Sequence, residues 1–183
     1  MNPYQSLLIL VTAYLLVFLE SSFQGVRHLL GTQVNLLPAL MVYASLSTGL
    51  FTIIMLAGLG GLWIDSLSAN PLGVTMLPLF VVGLLIYRRR NLILREQLFA
   101  QIVLGLAASA IVPVGALLLV LTGGREPLLG LGTIWQFIVT IIGGGIATPL
   151  LFKLFGFFDD SLSYRRTSET SFRPDREIRR GRS

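Results

Sequence analysis

The sequence predicts an all-α integral membrane protein, a compact six-helix transmembrane bundle with both termini in the cytoplasm. The chain of 183 residues is 54% hydrophobic and 13% charged, with a mean hydropathy of +0.77, whereas soluble domains carry about 25% charged residues. Its charged residues cluster between long apolar stretches, which is typical of multi-pass membrane proteins. If the chain crosses the membrane six times, most of its basic residues lie on one side of the membrane. The absence of cysteine excludes disulfides and thiolate metal sites.

The first three helices are predicted at about 4–22, 35–48 and 49–66. The first apolar run, "SLLILVTAYLLVFL", has no Lys or Arg before it, which favours a retained helix over a cleaved signal peptide. The stretch 35–66 would measure about 48 Å as one helix, against a hydrocarbon core of about 30 Å. We therefore divide it at "SLSTG", residues 45–49, into two short helices joined by a tight turn.

The last three helices are predicted at about 71–87, 97–121 and 133–158. Asn70 and Pro71 resemble a helix start, with a side-chain cap followed by proline at the first helical position. Pro78 is expected to bend the fourth helix and Pro113 to kink the fifth. Residues 1–158 form the predicted transmembrane domain, and the polar, Arg-rich residues 159–183 form a disordered cytoplasmic tail.

The orientation follows from the distribution of lysine and arginine. Six spans with both termini on one side place twelve of the 14 basic residues on that side and only Arg27 and Arg125 on the other. Because cytoplasmic loops carry the excess of basic residues, both termini are predicted to be cytoplasmic. The basic clusters are expected to face anionic lipid, which attracts them by about 1 kcal/mol per residue; they include Arg88, Arg89, Arg90, Arg95, Arg165 and Arg166.

A single acid follows the long apolar stretch. No charged side chain occurs between Asn35 and Ile64, and then comes Asp65. Helical spacing places Gly58, Gly61 and Asp65 on one face. Small residues on a membrane helix allow another backbone to approach closely, and a carboxylate on the same face should point into the bundle. Asp65 then either caps the turn into the fourth helix, with backbone donors near 68–72, or contacts a partner or ligand.

These residues carry a family resemblance. The segment "GLGGLWIDSLSANPLGV", residues 58–74, resembles the signature of the rod shape-determining protein MreD family, in which a glycine-bearing helix ends in Asp, a small polar turn and Leu-Gly. The segment 35–49 resembles that family's proline-containing second helix. The Arg-rich connector after the fourth helix and the basic C-terminus also match. The motif residues are Gly58, Gly61, Asp65, Ser68, Asn70, Pro71 and Gly73.

The resemblance implies a non-enzymatic scaffold of the bacterial cell-wall elongation complex, located in the inner membrane. Proteins of this family bind the bitopic protein MreC. Through it they are linked to MreB, the RodA glycosyltransferase and a class B penicillin-binding protein. The family is also similar in fold to the small six-helix substrate-binding components of vitamin importers, although a fold alone does not confer a function.

The residues themselves favour neither catalysis nor nucleic-acid binding. The lone His28 has no second ligand at metal spacing, and no serine has a histidine and an acid to activate it, so no catalytic residue, metal or cofactor is expected. A small transporter or membrane substrate-binding component remains the alternative, with Asp65 and the turn "SLSANP" lining a pocket. The polar residues within the spans are few for that role: Ser45, Ser47, Thr48, Thr52, Ser109, Thr140 and Thr148.

Overall fold

The fold is described from a computed structural model that covers residues 3–22, 31–32, 34–68, 71–92, 97–124 and 130–170, with residues 159–170 as backbone only. Most of the described residues are helical, and no strand occurs among them. The helices are α1 (Pro3–Ser22), α2 (Leu37–Ser47), α3 (Leu50–Met55), α4 (Gly61–Leu67), α5 (Met76–Arg89), α6 (Leu98–Thr122) and α7 (Leu131–Thr170).

The third predicted helix consists of two α-helices and a wider turn. A π-helical turn, Leu56–Gly60, connects α3 to α4, so residues 50–67 form one continuous element that we call the 50–67 helix. With this element counted once, the described residues contain the six predicted helical segments. The π-helical turn was not predicted, because its residues are ordinary helix formers apart from two glycines.

The predicted division of residues 35–66 is confirmed. Helix α2 ends at Ser47 and the 50–67 helix begins at Leu50, with Thr48 and Gly49 in extended conformation between them. The two helices fold back on each other, because a Cβ added at Gly60 would lie 2.8 Å from a methyl group of Leu37. Helix α2 is central, since ten of its 11 residues are buried.

The fourth helix begins later than predicted. Helix α5 begins at Met76, and its first intrahelical bond runs from Leu79 N to the carbonyl of Thr75. Residues 72–75 lie in turns before the helix, so Pro71 is the first residue of a turn instead of the first residue of the helix. Pro78 falls in the first helical turn, where no backbone donor is required.

The sixth helix extends past its predicted end at residue 158, since α7 continues to Thr170. The Arg-rich composition of residues 159–170 predicted a tail, yet their backbone is helical. The chain divides into two units, Met1–Leu151 and Phe152–Ser183. The first contains α1 to α6 and the beginning of α7, and the second contains the remainder of α7.

With the 50–67 helix counted once, successive helices of the first unit run in opposite directions, so their ends form two groups. Ser6 of α1 bonds to Thr52 of α3 at 2.8 Å, and Arg90 Nη1 donates to the carbonyl of Thr48 at 3.1 Å; we call this the Arg90 end. The opposite Asp65 end holds the last residues of α1, the 50–67 helix and α6, and the first residues of α2, α5 and α7.

Four described helices are long and apolar enough to cross a membrane: Tyr4–Ser22, Leu50–Leu67, Leu98–Thr122 and Leu131–Phe158. They expose many large apolar side chains, among them Leu7, Phe18, Leu118, Ile142 and Ile146. Soluble proteins rarely expose contiguous apolar surface on this scale. The composition and these helices indicate a multi-pass membrane protein.

Candidate functional site: the Asp65 turn and the neighbouring cavity

The carboxylate of Asp65 holds the turn that leads into α5. Asp65 is 1% exposed, and its Oδ2 atom accepts hydrogen bonds from Gly73 N at 2.8 Å and Thr75 N at 3.1 Å. Thr75 is the N-cap residue of α5. The sequence predicts these donors near residues 68–72. That range is wrong, because the donors belong to Gly73 and Thr75. Asp65 Oδ1 is buried and has no hydrogen-bond partner among the described residues.

The conformation of the turn explains its glycine. Val74 N donates to the carbonyl of Pro71 at 3.3 Å, which closes a four-residue turn. Gly73 is the third residue of that turn and has a φ of +92°, as type II turns require at this position. The same residue presents its N–H to Asp65, so glycine here serves both the turn and the hydrogen bond.

The remaining motif residues have different surroundings. Ser68 Oγ donates to the carbonyl of Asp65 at 3.2 Å, at the end of α4. Pro71 is half-buried. Asn70 lies outside the described residues, so its predicted capping role stays a prediction.

Gly61 brings the 50–67 helix into backbone contact with α5. A Cβ added at Gly61 would lie 2.7 Å from Met76 Cα and 2.9 Å from Met76 N. At Gly58 the corresponding Cβ would meet only the terminal methyl of Met76, at 3.8 Å. Gly61 and Asp65 therefore face α5 at close range, whereas Gly58 lies at the edge of that face. Gly58 is displaced because the π-helical turn changes the helical register between Gly58 and Gly61.

A second acid, Glu20, acts at the start of α2, and sequence reasoning missed this role. Its Oε1 atom accepts a hydrogen bond from Leu36 N at 2.6 Å. Leu36 is the N-cap residue of α2, and the side chain of Asn35 accepts a further bond from Leu37 N at 3.0 Å. The signal in the sequence was a lone acid at the end of α1 together with the helix-start pattern "NLLP".

A partly open cavity of about 300 Å³ lies at the Asp65 end, within the first unit. Helices α1, α2, α4, α6 and α7 contribute to its walls. Ser68 and Thr75, on either side of the Asp65 turn, line it together with Glu20. The turn that carries the family resemblance is thus also a wall of this cavity, which we call the Glu20 cavity.

Four of the seven polar side chains predicted within the spans are bonded inside the protein, whereas the buried Ser109 Oγ has no hydrogen-bond partner among the described residues. Ser45, Thr48 and Thr148 each donate to the carbonyl four residues earlier, at 2.7, 2.7 and 2.8 Å. Thr52 bonds to Ser6. These hydroxyl groups satisfy the backbone and one another, so they do not converge on a common point.

The basic cluster at the Arg90 end is only partly exposed. Arg88 and Arg89 are exposed, whereas the guanidinium of Arg90 stacks on the ring of Tyr87, 4.4 Å from its centroid. Arg95 lies outside the described residues, and Arg165 and Arg166 are described as backbone only. Their predicted lipid contacts stay predictions.

The site contains two carboxyl groups, those of Asp65 and Glu20, beside an apolar cavity. Both groups can accept hydrogen bonds. Among the described residues, no group of three or more His, Cys, Asp or Glu side chains could hold a metal ion. Comparison with known proteins gives no match: no family model, no curated protein and no solved structure matches the chain.

Proposed function

We propose that this chain is a non-enzymatic scaffold of the bacterial cell-wall elongation complex, embedded in the inner membrane with both termini in the cytoplasm. It binds an MreC-type partner directly. Through that partner it associates with MreB, RodA and a class B penicillin-binding protein. The proposal rests on the motif at residues 58–74 and on the hydrogen bonds that Asp65 of this motif accepts in the structure.

The observation that carries the proposal is the geometry of Asp65. The carboxylate of the motif is buried against Gly73 N and Thr75 N, so it shapes one end of the bundle. An acid that carried ions or a polar substrate would present its charge to a path through the spans. A carboxylate that fixes a loop between two helices suits a protein whose task is to present a defined surface.

The polar residues of the interior support the same conclusion. A transporter of polar substrates needs convergent polar groups within its spans. The hydroxyl groups of Ser45, Thr48 and Thr148 are engaged with their own helices, and Thr52 with α1. This favours the scaffold over a transporter of polar substrates.

The test is copurification from the native host. A tagged full-length chain, extracted in mild detergent, is expected to retain an MreC-type protein identified by mass spectrometry. Gly61→Leu is expected to lose that protein, because the 50–67 helix and α5 touch at Gly61. Leu62→Ala, at a residue that is 41% exposed on the same helix, is the matched control and is expected to retain it.

Two outcomes would contradict the proposal. One is a wild-type chain that purifies intact without any MreC-type protein. The other is a host that keeps its rod shape and wall growth after the chain has been depleted.

A further inference from the structure

The scaffold function proposed above makes no use of the Glu20 cavity. Its volume of about 300 Å³ lies at the lower limit of small-molecule sites, which measure about 300–1,000 Å³. Most of its lining is apolar and includes Ile64, Val112, Leu117 and Phe137. Such a cavity can hold the apolar part of a small ligand.

The polar lining of the cavity includes one carboxyl group. Glu20 is the only ionisable side chain among the described residues that line it. Its Oε1 atom receives the hydrogen bond from Leu36 N, which is the only hydrogen bond to this carboxyl group among the described residues. Oε2 therefore remains available as an acceptor. A carboxylate in a water-poor setting is costly unless it is paired.

The apolar lining and the Glu20 carboxyl group together indicate which kind of ligand would fit the cavity. A carboxylate accepts hydrogen bonds and attracts positive charge, so it disfavours anions. A neutral apolar molecule would leave Oε2 unpaired. An ammonium group carries three donors and a positive charge. Thr140 and Gln136, whose side chains carry neutral acceptors, are also lining residues.

We propose that the Glu20 cavity binds an alkylammonium group, with the ammonium on Glu20 Oε2 and the alkyl part against the apolar lining residues of α4, α6 and α7. The group can come from the headgroup of an aminophospholipid or from a free amphiphilic amine, which share this chemistry. The proposal is independent of the MreC-type partner, because binding is a property of the isolated chain.

The first experiment uses the purified full-length chain in a non-ionic detergent and isothermal titration calorimetry. Octylammonium is expected to bind saturably with one site per chain. Octanol, which has the same alkyl chain and no charge, is expected to bind at least tenfold more weakly, because charge-assisted hydrogen bonds are the stronger kind. Equal binding of the two probes, or no binding of octylammonium, would overturn the proposal.

Two variants locate the site. Glu20→Gln keeps an oxygen that can accept the Leu36 N–H and removes the charge, so it is expected to weaken octylammonium binding at least tenfold. Ala116→Phe places a bulky ring at a residue that lines the cavity and is expected to abolish binding. Ala107→Phe makes the same change at an exposed position of α6 and is its matched control. Unchanged affinity in a folded Glu20→Gln or Ala116→Phe protein would overturn the proposal.

A lipid experiment distinguishes the two sources of the ammonium group. The chain is placed in bilayer nanodiscs that contain equal amounts of phosphatidylethanolamine and phosphatidylcholine, and the retained lipid is identified by native mass spectrometry. Selective retention of phosphatidylethanolamine by the wild type and not by Glu20→Gln assigns the headgroup as the source. Octylammonium binding without lipid selectivity assigns a free amine.

Discussion

Asp65 and Glu20 perform the same task at two places in the fold. Each acid lies near the end of one helix and accepts a hydrogen bond from the N-cap residue of the next, Thr75 of α5 and Leu36 of α2. The start of a helix carries a partial positive charge and unpaired N–H groups, so a carboxylate there is favourable. Inside a membrane, where water is scarce, these bonds matter more than at an exposed helix start.

Substitution of Asp65 should separate hydrogen bonding from charge. Asp65→Asn keeps an oxygen that can accept from Gly73 N and Thr75 N. Asp65→Ala leaves both donors unpaired, at a cost of about 1–3 kcal/mol for the buried Thr75 N–H and less for the half-buried Gly73 N–H. We expect Asp65→Asn to keep its fold and the proposed MreC-type partner and Asp65→Ala to lose both, measured by thermal unfolding in detergent and by copurification. A folded Asp65→Asn chain that binds its partner but does not support rod growth would contradict the architectural role.

Close contacts between helices depend on individual glycines. The Gly61 contact with Met76 joins the 50–67 helix to α5. A second set joins α6 to α7, where a Cβ added at Gly105 would lie 2.7 Å from the carbonyl oxygen of Gly144. Without a hydrophobic driving force between helices in lipid, such close packing is a principal source of association.

Alanine at Gly61 should be destabilising and alanine at Gly58 should not. The added methyl at Gly61 would collide with the backbone of Met76, which cannot move without shifting α5, while the one at Gly58 meets an ordinary contact. We expect Gly61→Ala to cost about 1–3 kcal/mol, the usual range for overpacking. Thermal unfolding of the two variants in the same detergent measures the difference, and equal stability would show that α5 yields freely.

The glycines of α7 offer a second pair of variants. A Cβ at Gly144 would lie 2.6 Å from Ser109 Cβ, whereas one at Gly132 has no neighbour within 4 Å. Gly144→Ala is expected to lower the unfolding temperature. Gly132→Ala should leave it unchanged or raise it, because alanine is the better helix former by about 1 kcal/mol. A loss of stability at both positions would indicate that glycine itself, and not the contact with α6, is required.

For the molecule as a whole, the sequence predicted the helical segments well and the long-range contacts poorly. Apolar runs located the six segments. The break at residues 48 and 49 was expected because residues 35–66 are too long for one helix across a membrane. The start of α5 was misplaced because the local signal of Asn70 and Pro71 indicated a helix start, while the actual start depends on Asp65. The bond between Glu20 and Leu36 joins residues 16 apart and leaves no periodic pattern.

The proposed orientation can be tested by cysteine labelling, because the native chain contains no cysteine. Arg89→Cys changes an exposed residue at the Arg90 end, and Leu72→Cys changes one, 70% exposed, at the Asp65 end. With the termini in the cytoplasm, an impermeant thiol reagent added to intact cells should label Leu72→Cys and not Arg89→Cys. The reverse pattern would invert the proposed topology, and lysed cells should show labelling of both.

The shortness of α2 has a consequence for biogenesis. Its 11 residues rise about 16 Å, roughly half of the hydrocarbon core, so a chain emerging from the ribosome could not retain α2 in the bilayer alone. Since α2 and the 50–67 helix fold back on each other through Leu37 and Gly60, the two should enter the membrane together as one helical hairpin. Nascent chains arrested soon after Ser47 should then leave α2 outside the bilayer, and chains arrested after Leu67 has emerged should integrate both helices at once.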